Sequence, residues 1–136
     1  MAATRVCVDI EECERLWTHL RTPRCLFDLW PVRACFQQAF QRPPFFVIAE
    51  EDGEPRGVLA LSRLHETGEF AFFPGETWQG KTWLEQNKIP AAGPDWFRRL
   101  LARVPAPAHI RYLDRASLPD ENEAVEDEVG YLFFPG

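Results

Sequence analysis

The sequence contains no long apolar run. None of its apolar stretches approaches the roughly 20 residues that a transmembrane helix needs. The N-terminal stretch MAATRVCVDIEECERL also lacks the apolar core of a signal peptide and carries acidic residues early. These absences argue against a membrane-spanning or exported protein, so we expect a cytoplasmic location and no membrane partner.

An excess of basic residues is also missing. The chain has 15 Lys and Arg residues against 21 Asp and Glu residues, and its net charge is -6. A protein that binds the phosphates of nucleic acid, or an anionic lipid surface, usually carries an excess of positive charge. The charge balance therefore predicts that nucleic acid is not a partner.

Metal-binding patterns of cysteine and histidine are absent as well. None of the four cysteines forms a C-x-x-C pair, and the three histidines do not supply zinc-finger spacing. In a chain without a secretion signal we expect buried or half-buried free thiols, with a metal or disulfide role as the alternative. The cysteines concerned are Cys7, Cys13, Cys25 and Cys35.

The chain does contain enough apolar material for one core. Its 136 residues are 46% apolar, 13% aromatic and 26% charged, a composition typical of a folded domain. This length suits one domain better than two. We therefore expect residues 1–136 to form a single domain.

The first third of the chain predicts a strand and two helices. TRVCV at 4–8 alternates polar and apolar residues, as in a strand. A helix over 9–21 begins at Asp9, a good N-cap residue, and has acidic residues in its first turn. A second helix over 31–41 begins at Pro31, which is favoured in a first turn, and ends before a pair of prolines.

The clearest local signal is a β-hairpin. Two apolar runs, 45–49 and 57–61, flank EEDGEP, whose Asp52-Gly53 pair is typical of a tight hairpin turn. Both runs are almost continuously apolar, so we expect both faces of this hairpin to be buried at the centre of a sheet. A turn at 66–69 and the strand FAFF then complete an antiparallel meander.

The remaining chain predicts a helix over 94–103, a strand over 109–114, an exposed acidic loop over 120–128 and a final apolar strand, GYLFFPG. Together these elements predict an α/β (α+β) fold, with a mixed, mainly antiparallel sheet flanked by about three helices.

Residues 75–82 match the Walker A pattern, G-x-x-x-x-G-K-[ST], of nucleotide-binding loops. The context is poor, because Glu76 brings a carboxylate that repels phosphate, Trp78 is bulky, and Pro90 leaves little room for the helix that must follow. The preceding strand also belongs to an antiparallel meander, whereas these NTPases are built on parallel sheets. We therefore expect no nucleotide binding.

The predicted order of elements (strand, helix, helix, three antiparallel strands, helix, strand) is the order of the GNAT acyltransferase fold. FFPGETWQGKTWLEQNKI resembles a segment of GNAT-like proteins related to the Fem-type aminoacyltransferases and the CelD-type acetyltransferases. In those proteins an aromatic strand leads through a glycine turn to a short E-x-N element, which here are Phe72-Phe73, Gly75 and Glu85-Gln86-Asn87. EDEVGYLFFPG likewise resembles the strand that leads into their second, catalytic half.

This resemblance implies that the chain is the N-terminal lobe of a longer, two-lobed protein. GNAT enzymes bind the pyrophosphate of acetyl-CoA on backbone amides of a Q/R-x-x-G-x-G/A turn after the fourth strand. Residues 86–96 lack that spacing, and Pro90 and Pro94 remove two donors. We therefore expect no cofactor and no catalytic residue in this chain, with acetyl-CoA or another acyl donor bound by a missing C-terminal lobe.

Two roles remain open for the aromatic segment. In the first it is structural, with its tryptophans packed back onto the meander. In the second, four residues line a groove that faces the missing lobe and binds the acceptor substrate, since a lysine beside two tryptophans suits a carboxylate or a sugar face. These residues are Trp78, Lys81, Glu85 and Asn87.

Two classes of function follow. In the first, the chain is the non-catalytic lobe of an acyltransferase that acts on an amine or hydroxyl of an envelope or polysaccharide precursor, and its partner is the missing C-terminal lobe. In the second, it is a stand-alone protein-interaction module. An unpaired apolar last strand also predicts a weak homodimer.

Overall fold

The computed structural model describes residues 2–21, 23–75, 87–90, 94–110 and 113. In chain order its elements are β1 (Ala2–Cys7), α1 (Ile10–Leu20), a 3-10 turn (Leu26–Asp28), α2 (Trp30–Phe40), β2 (Pro44–Glu51), β3 (Glu54–Arg63), β4 (Phe70–Phe72), α3 (Pro94–Leu101) and β5 (Ala108–His109). The strands form one sheet in the order β1-β2-β3-β4-β5, antiparallel except for the parallel pair β4–β5. This mixed, mainly antiparallel sheet with its helices confirms the predicted fold class.

The β2–β3 hairpin is the centre of the core. Its two turn residues, Asp52 and Gly53, have φ angles of 54° and 82°, as a tight two-residue hairpin requires. Residues 46–49 and 57–62 are buried without interruption, which requires cover on both faces of the sheet. Helices α1 and α3 both contact these strands, and the hairpin prediction is confirmed.

Helix α1 begins where the sequence predicts. The Asp9 carboxylate accepts a hydrogen bond from the backbone N–H of Glu12 at 3.1 Å, as expected of an N-cap residue. The buried residues of the helix, Cys13, Leu16 and Trp17, are spaced three and four apart and therefore lie on one face.

Helix α2 buries an arginine and exposes its cysteine. Its fully buried residue is Arg33, and Cys35, two positions further on, is exposed. Because two positions correspond to more than half a helical turn, Cys35 points away from the core. The expectation of buried or half-buried thiols is therefore wrong for Cys35, whereas Cys7 and Cys13 are buried and Cys25 is half-buried; all four are free.

Two predicted elements near the end of the described chain are shorter than expected. Helix α3 ends at Leu101, and β5 contains only Ala108 and His109. Leu113, also expected in that strand, forms an isolated parallel bridge with Asn87. The acidic loop over 120–128 and the final apolar strand lie outside the described residues, so the homodimer remains a prediction.

Candidate functional site

Strand β4 is interrupted. It pairs Phe70 with Ala108 in β5, whereas the bridge further along pairs Asn87 with Leu113 in the same parallel sense. The offset between paired residues therefore falls from 38 to 26. The pairing register therefore shifts by twelve residues between the two pairs, and most of the Walker A-like segment, which follows Gly75, lies outside the described residues.

The chain returns to the same edge of β3 that it left. The N–H of Phe73 donates to the carbonyl of Ala60 at 2.9 Å, and the N–H of Val58 donates to the carbonyl of Pro90, also at 2.9 Å. Ile89, the residue before Pro90, is buried in the core. Residues 87–90 therefore continue the line of β4 beside β3.

Three arginines from the helical part of the chain hold the ends of this interruption. Arg33 donates through Nη1 to the carbonyl of Phe73 at 3.0 Å, and Arg42 donates through Nη1 to the carbonyl of Gly75. At the return, Arg21 donates through Nη2 to the carbonyl of Lys88 at 2.8 Å. We call Arg21, Arg33 and Arg42 the arginine anchors.

Arg33 is the most deeply placed of the arginine anchors, with 1% of its surface exposed. A second hydrogen bond runs from its Nε to the carbonyl of Phe27 at 2.8 Å. Its guanidinium carbon lies 5.3 Å from the ring centre of Trp17 and 5.4 Å from that of Phe72. This side chain therefore joins the loop before α2, the aromatic core and the end of β4.

Gly75 is required where the chain leaves the sheet. Its φ angle is +97°, a conformation that side chains disfavour, and a Cβ placed there would lie 2.8 Å from Cδ of Arg42 and 3.2 Å from Cβ of Ser62. The close approach of backbone, anchor and β3 thus leaves no room for a side chain.

Asp28, in the 3-10 turn, holds the return segment through its carboxylate. Its Oδ2 accepts hydrogen bonds from the backbone N–H of Arg24 at 2.9 Å and of Cys25 at 3.2 Å, and from Nζ of Lys88 at 2.9 Å. Burial by itself would raise the pKa of Asp28, but the hydrogen bond from Lys88, the backbone N–H of Arg24, the charge of Lys88 and the side chain of Cys25 lower the pKa below its usual value of 3.8. The ionised carboxylate is therefore the stable form at neutral pH.

Arg21 follows α1 and stacks on its own helix. Its guanidinium carbon lies 3.5 Å from the ring centre of Trp17, four residues earlier and hence on the same helix face. Burial, followed by repulsion from Arg33, lowers the pKa of Arg21 to about 9, against an opposing attraction from Asp28. The guanidinium is therefore charged at neutral pH although its environment disfavours that charge.

The predicted substrate-binding residues are only partly placed by the structure. Trp78, Lys81 and Glu85 lie outside the described residues. Asn87 is 5% exposed and forms the bridge with Leu113, so it lies within the sheet at the return of the interrupted strand. The proposed groove therefore remains a prediction.

The sequence interpretation missed the arginine anchors. The side chains of these arginines cross the core boundary to reach backbone carbonyls. A usable signal was present for two of them, because Arg21 lies four residues after Trp17 and Arg33 three residues after Trp30, spacings that place each arginine beside a tryptophan. The carbonyls that they contact were not predictable from these spacings.

Other features of the described residues provide no reactive centre. An open groove of about 680 Å³ between α1 and the start of β3 is lined by charged residues of both signs, including Glu12, Arg15 and Glu54. In the same part of the chain, no group of three or more His, Cys, Asp or Glu side chains is arranged to hold a metal ion. None of the helices within the described ranges has the length and apolar character required to cross a membrane.

Comparisons of the chain with protein-family models, with curated proteins and with solved structures gave no match.

Proposed function

We propose that this chain is the N-terminal, non-catalytic lobe of a two-lobed GNAT-like acyltransferase of the Fem-type or CelD-type class. In this role it binds part of the acceptor substrate or packs against the catalytic lobe, and it is inactive by itself. The acyl donor, acetyl-CoA or another, binds to the missing C-terminal lobe. The proposal includes a cytoplasmic location, which agrees with four unpaired cysteines.

The interrupted β4 is the observation that carries the proposed role. Proteins commonly present binding residues on a loop that a rigid scaffold positions. Here the segment 76–86 contains Trp78, Lys81 and Glu85, and the arginine anchors and Asp28 hold the chain on both sides of it. An indole, a cation and a carboxylate on one anchored segment suit a polar acceptor such as a sugar or an amino acid.

The order of elements supports the proposed class. The described chain runs β1-α1-α2-β2-β3-β4-α3-β5, which agrees with the order on which the resemblance to GNAT proteins rests. Because one fold hosts many functions, this agreement supports only the class of protein.

Titration with acetyl-CoA tests the lobe assignment. Calorimetry should detect no binding to residues 1–136, because Pro90 and Pro94 interrupt the run of backbone N–H groups that a pyrophosphate needs. The longer chain encoded by the same reading frame should bind acetyl-CoA and transfer the acyl group. Tight binding by residues 1–136 alone would contradict the proposal.

A protein-interaction module is the second candidate. Large apolar side chains are exposed at the start of α1 and at the 3-10 turn: Val8 (63%), Ile10 (37%), Leu26 (61%) and Leu29 (40%). Such side chains suit a protein partner as well as a second lobe. The same titration separates the two candidates, because a longer chain that binds no acyl donor would favour the interaction module.

A further inference from the structure

Arg21 has donor groups that nothing in the described structure uses. Its Nη2 donates to Lys88, but its Nε and Nη1 are shielded from solvent and have no hydrogen-bond partner among the described residues. Nε carries one N–H and Nη1 carries two, so three N–H groups of a charged side chain lack acceptors. Buried donors without acceptors cost free energy, and more so when the group is charged.

The charges around Arg21 also leave its guanidinium without a direct counter-ion. Arg33 repels it, and Asp28 attracts it without forming an ion pair with it in the described part of the chain. The only ion pair that the structure shows for Asp28 is with Lys88, at 2.9 Å. An additional negative charge at Arg21 would therefore offset both the burial and the repulsion.

We propose that the free N–H groups of Arg21 bind an oxyanion, either a carboxylate or a phosphate. Each free N–H group of the charged guanidinium can donate a charge-assisted hydrogen bond to an oxygen of such an anion. Trp17, stacked at 3.5 Å, and the carbonyl of Lys88 already hold the plane of the guanidinium, so little rotamer entropy is lost on binding. Arg21 as a whole is only half-buried, so its side chain lies close to the protein surface.

This inference is independent of acyl transfer. It assigns a ligand chemistry to the return of the interrupted strand, and that assignment holds for any ligand that carries a carboxylate or phosphate. The competing explanation is that stacking on Trp17 is the whole role of Arg21, since an indole face by itself attracts a guanidinium.

The test is a titration of the chain with inorganic phosphate and, separately, with acetate, at an ionic strength kept constant with sodium chloride. NMR of the arginine Nε–H groups reports on Arg21 directly and needs no variant for the titration itself. We expect a saturable shift of the Arg21 Nε–H resonance. A response to phosphate alone would identify a phosphate site, and a response to acetate would identify a carboxylate site.

Three variants complete the test. Arg21→Gln should weaken binding by about tenfold or more, and Arg21→Lys, which keeps the charge but loses the guanidinium N–H groups, should also weaken it. The matched control is Arg24→Gln, which removes the same charge from an exposed side chain nearby and should leave binding unchanged. If neither anion shifts the Arg21 resonance, or if Arg24→Gln weakens binding as much as Arg21→Gln, the proposal is wrong and Arg21 only stacks.

Discussion

The β2–β3 hairpin closes through two residues, Asp52 and Gly53, whereas the parallel pairing beside β4 shifts its register by twelve residues between Phe70 and Asn87. In the hairpin, each strand supplies the hydrogen-bond partners of the other. At the interruption of β4, the carbonyls of Phe73, Gly75 and Lys88 are instead met by arginine side chains. A local turn needs only its own residues, but an interrupted strand needs donors from elsewhere in the fold.

The donors at the interruption come from far away in the sequence. Arg33 is 40 residues from Phe73, Arg42 is 33 residues from Gly75, and Arg21 is 67 residues from Lys88. Each contact therefore depends on the helices having packed against the sheet. Substituting an arginine anchor should therefore lower the stability of the interrupted strand and leave the register of the β2–β3 hairpin unchanged.

Among the variants proposed here, Arg33→Met should lower the stability of the protein the most. The variant removes the donors to Phe27 and Phe73, and we expect the free energy of unfolding to fall by about 3–5 kcal/mol. Urea denaturation measures the loss. The control is Arg56→Met on the exposed start of β3, which should change stability by less than about 0.5 kcal/mol. Equal losses in the two variants would show that the hydrogen bonds of Arg33 contribute no more stability than an exposed arginine does.

The two glycines Gly75 and Gly53 compare the interruption and the hairpin turn directly. Both have positive φ angles, +97° and +82°, but a Cβ at Gly75 would meet Arg42 and Ser62, whereas a Cβ at Gly53 would have nothing within 4 Å. We expect Gly53→Ala to cost about 1 kcal/mol from backbone strain, and Gly75→Ala about 2–4 kcal/mol from strain and overlap together. Thermal unfolding of both variants checks the difference, and a larger loss at Gly53 would reverse the comparison.

Asp28→Asn should have a smaller effect that depends on pH. The folded state lowers the pKa of Asp28, so the unfolded state binds its proton more readily, and the resulting stabilisation is present above the unfolded pKa and is lost as the pH falls through the folded pKa. At pH 7 we expect the variant to be about 1–2 kcal/mol less stable than the native chain.

Below about pH 4, where carboxyl groups take up protons, this difference should shrink because the native carboxyl also becomes neutral. Urea titrations of both proteins between pH 7 and pH 3 measure it. A gap that stays constant over this range would show that the charge of Asp28 contributes no stability.

Local chemistry was sufficient to predict several elements. Asp9 caps α1 because a carboxylate placed before a helical run meets its free N–H groups. Asp52-Gly53 closes the hairpin because this pair tolerates positive φ. The groove residues Trp78, Lys81 and Glu85 stay predictions, and Asn87, assigned to the same groove, is a buried residue of the sheet.

The sequence by itself determined the helices, the hairpin and the mainly antiparallel sheet, because periodicity, capping and turn residues act over a few positions. Only the tertiary structure decided that β4 breaks and resumes at Asn87, that Arg33 is buried while Cys35 is exposed, and that Arg21 retains free donors beside Trp17. The physical reason is that a buried backbone carbonyl must find a donor, and the donor it finds depends on which helix packs nearby. That packing brings together residues far apart in the chain, and no local pattern records it.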